Sequence, residues 1–169
     1  MATSFKLLKG ILSIALFFST LLWLIFLIIL VGIVLGVDGG YGLHRVAEDF
    51  DLSSKAAKLA LVTYILAGYA GIIYIIYILR KLVISLDSGN LFTKFQSTGF
   101  NLVGQLIIWL VIISSVAEFA IKLFFASRLE VETSFPDFWL FLALGVFFIV
   151  LSQVFEKARL MREENDLTV

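Results

Sequence analysis

The stretch Ile11–Val37, ILSIALFFSTLLWLIFLIILVGIVLGV, contains no charged residue. As a helix of about 27 residues at ~1.5 Å rise, it exceeds the ~30 Å hydrocarbon core of a bilayer. Three further apolar stretches follow, Ala57–Leu79, Leu102–Ala126 and Phe138–Phe155, each long enough to cross the same slab. The expected fold is therefore all-α: a polytopic integral membrane protein, an antiparallel four-transmembrane-helix bundle forming one domain over residues 1–169. The spans fall at 11–37, 57–79, 102–126 and 138–155, and a charged helical extension is expected over 156–164.

Composition supports lipid as the solvent. Hydrophobic residues make up 61% of the 169 and charged residues 15%, against roughly 45–50% and 25% in a soluble domain. A domain of this size buries only ~70% of its unfolded surface, so the apolar excess cannot be hidden inside it. Thirteen basic residues balance thirteen acidic ones, so no basic face points to direct contact with nucleic acid. The chain has no cysteine, which excludes disulfides, thiolate metal sites and thiol redox chemistry. The first apolar run is too long for the ~7–15-residue core of a signal peptide and lacks an Ala-x-Ala-like site, so it reads as a retained anchor behind Lys6 and Lys9. A run of this length must tilt or extend into water.

Basic residues set the expected sidedness. Lys6, Lys9, Arg80, Lys81, Lys94, Lys157, Arg159 and Arg162 collect with the two termini and the second loop; Arg45, Lys55, Lys58 and Arg128 lie on the other side. That bias puts both termini in the cytoplasm, N-in/C-in. Short connections force neighbouring spans to run antiparallel. Gly39, Gly40 and Gly42 mark the first loop, with Asp51 or Ser53 as the expected cap of the second helix. Asp87-Ser88-Gly89-Asn90 is a turn signal, and Thr93 with Gln96 has capping-box spacing, so a helix should begin near Thr93. Pro136 suits a helix's first turn, where its missing N–H costs nothing.

Helices in lipid associate through small residues and interhelical hydrogen bonds. Ala60, Tyr64, Ala67, Gly71, Tyr74 and Ile78 form a seam on the second span; Gly145 and Ser152 share a face of the fourth; Gly32 and Gly36 form a Gly-xxx-Gly that reads either as internal packing or as a contact in a homo-oligomer. On the third span Asn101, Gln105, Ser115, Glu118 and Lys122 fall near one stripe with Ile108 and Ile112. Polar groups in hydrocarbon should face other helices, so the stripe is expected to be buried. Glu118 and Lys122, four apart, suit a helical ion pair. An intramembrane pair is a candidate site for a proton, ion, lipid headgroup or peptide. Its depth favours a structural role, because Glu118 lies only ~12 Å from the outer end of the span and Lys122 ~6 Å. His44 with Glu48, Asp49 and Asp51 is a poor metal site. Trp23, Trp109 and Trp139 read as packing or interfacial residues. No phosphate loop, nucleophile elbow or metalloprotease motif is present. Nothing implies a cofactor, and an enzyme is not expected.

The fourth span should continue as a charged helix, Glu156 to Glu164, and break at Asn165. The chain then ends Arg159-Leu160-Met161-Arg162-Glu163-Glu164-Asn165-Asp166-Leu167-Thr168-Val169. This ending resembles the terminal signature, Glu-Glu-Asn-Asp-Leu-Thr-Val here, of the YoaS-like bacterial membrane proteins, a family of unknown function. Gly89-Asn90-Leu91-Phe92-Thr93 is similar to the family's Gly-x-x-Phe-Thr motif; the Glu-Asn usual after it is replaced by Lys94-Phe95-Gln96. The resemblance covers essentially the whole chain. It implies a bacterial cytoplasmic (inner) membrane protein, often encoded beside a small helix-turn-helix regulator. That makes Phe92, Thr93, Glu163, Glu164, Asn165, Asp166 and Leu167 the expected docking residues for a cytoplasmic partner. The competing expectation is a small transport, ion- or lipid-binding, or immunity protein that uses the polar stripe of the third span.

Overall fold

The computed structural model describes residues 2–37, 54–87, 92–125 and 135–167. They form four helices: α1 (Ala2–Val34), α2 (Lys55–Asp87), α3 (Lys94–Phe125) and α4 (Phe135–Leu167). Each has 32 or 33 residues, or about 50 Å at ~1.5 Å rise. All four are long and apolar enough to cross a membrane. The helices outrun the apolar stretches because the flanking charged residues are good helix formers that add turns at the ends.

Neighbours run antiparallel. Ser13 and Trp23 of α1 meet Arg80 and Leu66 of α2, Ser85 of α2 meets Gln96 of α3, and Ser97 of α3 meets Glu156 of α4. One end of the molecule thus carries the start of α3 and is called the Gln96 end; the other is the Lys55 end. Packing follows chain order, α1 on α2, α2 on α3, α3 on α4, and no other pair makes more than a marginal contact among the described residues. The result is a row rather than a closed square of helices. With a single neighbour, α1 buries none of its most apolar window.

α2 is shared between two separate cores. Towards the Lys55 end Ala57, Leu61, Val62 and Leu66 pack with Ile33 of α1. Towards the Gln96 end Ile75, Ile78 and Leu82 pack with Phe100, Val103 and Ile107 of α3, backed by Phe148, Leu151 and Phe155 of α4. The expected small-residue seam of α2 does face a neighbour: Tyr64, Ala67, Gly71, Tyr74 and Ile78 all lie on the side towards α3, with Ala67 and Tyr74 left exposed because the two helices are not in full contact there. The α3–α4 crossing is the tightest, since a Cβ added to Gly104 would stand 2.5 Å from the Gly145 carbonyl oxygen.

Local chemistry sets the helix ends. Ser54, rather than Asp51 or Ser53, caps α2, its Oγ accepting the Ala57 N–H at 3.0 Å; residues 51 and 53 lie outside the described ones. Gly36, at φ +77°, closes α1: its N–H donates to the Ile33 carbonyl and that of Val37 to Gly32, the two bonds of a Schellman turn. Gly36 therefore stops the helix rather than lining a helix face. Lys55 Nζ reaches a further α1 carbonyl, that of Val34, at 3.0 Å. α4 does not break at Asn165 but stays helical through Leu167, because Glu163, Glu164 and Asn165 prolong the charged turns without a Gly or Pro to stop them.

Candidate functional site

The densest polar chemistry among the described residues lies at the Gln96 end, where α2, α3 and α4 meet. The expected capping box is present and reciprocal. Thr93 N–H donates to Gln96 Oε1 at 3.2 Å, and Gln96 N–H donates to Thr93 Oγ1 at 3.3 Å. Gln96 does more than cap. Fully buried, it also donates Nε2 to Ser85 Oγ of α2 at 3.0 Å, so one side chain ties the end of α2 to the start of α3.

The next residue ties α3 to α4. Ser97 Oγ donates to Glu156 Oε2 at 2.7 Å. Arg159 grips the same carboxylate through Nε at 3.1 Å and a terminal nitrogen at 2.6 Å, and also pairs with Glu163. Glu156 is the first charged residue after the apolar run of α4, 138–155. The Arg159 guanidinium foremost, then the Ser97 hydroxyl, hold its carboxyl down at about 2 against an ordinary 4.5. Beneath it an aromatic ladder runs from Phe92 through Phe155 to Phe100 and Phe148, with successive ring centroids 5.3, 5.0 and 6.1 Å apart.

Beside the network a groove of about 440 Å³ opens between α3 and α4, lined by Lys94, Ser97, Asn101, Gln153, Glu156 and Lys157 among others. Both signs of charge and several amide and hydroxyl groups converge there, together with the apolar side chain of Leu160 and the aliphatic stems of the lysines. Past it, Leu160 and Met161 are exposed on the α4 extension.

The expected docking residues divide. Phe92 turns inward onto Phe155 and holds φ 60°, so it is part of the packing; Thr93 is a cap. Glu163, Glu164 and Asn165 are exposed on α4, with Glu163 paired to Arg159. Asp166 and Leu167 continue the helix, but their side chains lie outside the described ones, as do Gly89, Asn90 and Leu91 and the group His44, Glu48, Asp49 and Asp51. The polar stripe of α3 is not buried as expected. Gln105 and Ile112 are exposed, and Asn101, Ser115 and Glu118 are half-buried. The reason lies in Gly99 and Gly104, which let α2 and α4 approach closely and so turn Phe100, Val103 and Ile107 inward, leaving the stripe on the flank. The side chain of Lys122, the other half of the pair with Glu118, lies outside the described ones. Sequence reasoning missed Ser97, Glu156 and Arg159 as a unit. The available signal was a carboxylate placed at the first position after an apolar run, followed by an arginine three residues on.

No curated protein and no solved structure matches the chain. One family does: "Protein of unknown function (DUF2975)" matches residues 45–169, which span α2, α3 and α4 with the whole network described above. The match stops short of α1. With well over half of its length matched, the chain belongs to this DUF2975 family.

Proposed function

We propose that this is a non-enzymatic multi-pass protein of the bacterial cytoplasmic membrane, with both termini in the cytoplasm, that presents the Gln96 end to a cytoplasmic protein partner. The observation that carries the reading is the rigid extension of α4. Its apolar part ends at Phe155, yet the helix runs on through Leu167, about 18 Å further at ~1.5 Å per residue. Ser97 and the Glu156–Arg159–Glu163 network hold its base against α3. An arm fixed at its base presents Leu160, Met161, Glu163, Glu164 and Asn165 with little ordering left to do on binding, which favours docking. The basic-residue bias of the sequence favours the cytoplasm for this end. The ending resembles that of the YoaS-like proteins, which suggests a small helix-turn-helix regulator as partner, sequestered at or signalled to from the membrane. The alternative, transport or ion binding along the α3 stripe, lacks an enclosed polar path, since Gln105 faces outward.

The test is co-purification of the full chain with the protein encoded by its chromosomal neighbour, with and without residues Glu163–Val169. Loss of association on deletion, with the helical content retained, is expected. Association unchanged by the deletion removes the tail from the reading.

A further inference from the structure

α2 and α3 pack closely near the Gln96 end and where Leu110 lies against Gly71. Towards the Lys55 end they leave an apolar hollow of about 370 Å³, floored by Ala67, Gly68 and Gly71 of α2 and walled by Trp109, Leu110 and Ile113 of α3. That volume is within the ~300–1,000 Å³ of ligand pockets. The hollow is deep because the α2 side is built from residues with little or no side chain. A Cβ added at Gly68 would meet nothing within 4 Å. A second hollow of about 230 Å³ lies on the same α2–α3 face nearer the Gln96 end, lined by Tyr74, Tyr77, Lys81, Phe95 and Thr98 among others. Positions 67, 71, 74, 78 and 81 of α2 follow one another by four and three residues, so the two hollows lie along a single stripe.

The chemistry changes along that line. The deep hollow is apolar; the shallow one carries a cation and three hydroxyls. Lys81 Nζ sits 4.6 Å from the centroid of the Tyr77 ring, a cation–π contact that keeps the ammonium at the mouth. The first turns of α3, whose dipole favours negative charge, form the opposite lip. Gly71 lies ten residues before Lys81, or ~15 Å by helical rise, about half of the ~30 Å hydrocarbon core.

We propose that the α2–α3 cleft is a binding site for one anionic glycerophospholipid, with its phosphate at Lys81, Tyr77 and Thr98 and an acyl chain reaching the hollow beneath Trp109. The inference uses the membrane reading of the helices but not the docking reading of α4. Apolar length and cationic mouth match one lipid in one leaflet, which favours this occupant over a second copy of the chain.

The experiment puts the full-length protein in phosphatidylcholine vesicles containing dibrominated phosphatidylglycerol, or dibrominated phosphatidylcholine as the reference. Bromine in the acyl chain quenches nearby tryptophan, and the Trp109 signal is the difference between the chain and its Trp109→Phe variant. About fivefold preferential quenching by the anionic lipid is expected, the effect of one lysine at an anionic headgroup. Lys81→Gln should remove the preference and Lys81→Arg keep it. Gly68→Leu fills the hollow in open space, so it should abolish the excess quenching while leaving helical content unchanged. Equal quenching by both lipids, a preference that survives Lys81→Gln, or full quenching in Gly68→Leu overturns the site. A Gly68→Leu chain that changes oligomeric state while keeping its lipid preference assigns the cleft to a second copy and also overturns it. A chain that never enters the vesicles sinks the membrane reading itself, and the lipid site with it.

Discussion

Replacing Gly104 by alanine tests the α3–α4 crossing with a single methyl group. The new Cβ would stand 2.5 Å from the Gly145 carbonyl oxygen, 2.7 Å from Ile149 Cγ1 and 3.0 Å from the Ile149 backbone nitrogen, where ordinary contact begins at 3.4 Å. Two of these neighbours are backbone atoms, which no rotamer change can move aside. The helices must therefore part by about 0.9 Å, and Phe100, Ile107 and Phe148 on either side of the crossing lose contact as they do. Overpacking of this kind costs about 1–3 kcal/mol, while alanine returns about 1 kcal/mol of helix propensity. The expected net loss reaches about 2 kcal/mol, or up to roughly thirtyfold in the folded-to-unfolded ratio. Gly68→Ala is the control, because its Cβ meets nothing and only the propensity gain remains. Equilibrium unfolding in mixed micelles, followed by far-UV circular dichroism, reads both. If Gly104→Ala proves as stable as Gly68→Ala, the two backbones are not in contact at this point and the account of the crossing is wrong.

Gln96→Leu keeps the volume of a fully buried side chain but removes the partners of the Thr93 N–H and the Ser85 hydroxyl, and should cost about 1–3 kcal/mol in the same unfolding assay. Gln96→Glu keeps the acceptor of the Thr93 N–H but loses the donor to Ser85 Oγ and buries a carboxyl, so it should also be destabilised; a Gln96→Leu chain as stable as the parent would mean that shape, not hydrogen bonding, matters here. Glu156 supplies a pH dependence. Its carboxyl is held at about 2 in the folded chain against 4.5 when free, so its contribution is fully present above about 4.5 and is lost as pH falls towards 2. Thermal midpoints measured across that window should fall more steeply for the parent chain than for Glu156→Gln, and parallel curves would contradict the Arg159 and Ser97 contacts.

Element existence was legible because it rests on local signals. An apolar run of this length permits only a helix where no water satisfies the backbone, and all four runs are helical. Thr93 and Gln96 could be read as a capping box because the two side chains that satisfy each other sit three residues apart. Pairing was not legible, since it depends on residues far apart in the chain. Ser97 and Glu156 are 59 positions apart, and neither has a spacing that announces the other. Gly104 alone looks like a helix-weakening residue; only Gly145 opposite it explains its place. The polar stripe of α3 misled for the same reason. The rule that polar residues face inward treats each as an isolated cost, whereas the close approach at Gly99 and Gly104 selects the buried face through many small contacts at once. A lone uncharged amide such as Gln105 does not outweigh that.

The Gln96-end core joins α2, α3 and α4 through Leu82, Phe100 and Phe155, and the buried Gln96 and Ser97 stitch the same three helices together. α1 enters none of this. It packs on α2 through a separate apolar core, Trp23, Phe26, Leu27, Leu30 and Ile33 against Ala57, Leu61, Val62 and Leu66, with Phe26 stacked on Tyr69 and hydrogen bonds from Trp23 to the Leu66 carbonyl at 3.2 Å and from Arg80 to Ser13 at 3.1 Å. Residues 45–169 are thus the part of the chain in which each helix helps to hold the Glu156–Arg159 base in place. The α4 extension and the α2–α3 cleft both belong to that three-helix unit, on either side of α3: Ser97 of α3 holds the base of the extension, and the cleft lies between α3 and α2. Phe95 and Thr98 of α3 line that cleft, and Ser97 between them anchors α4. The first turns of α3 therefore carry both one lip of the cleft and the anchor that holds the extension of α4.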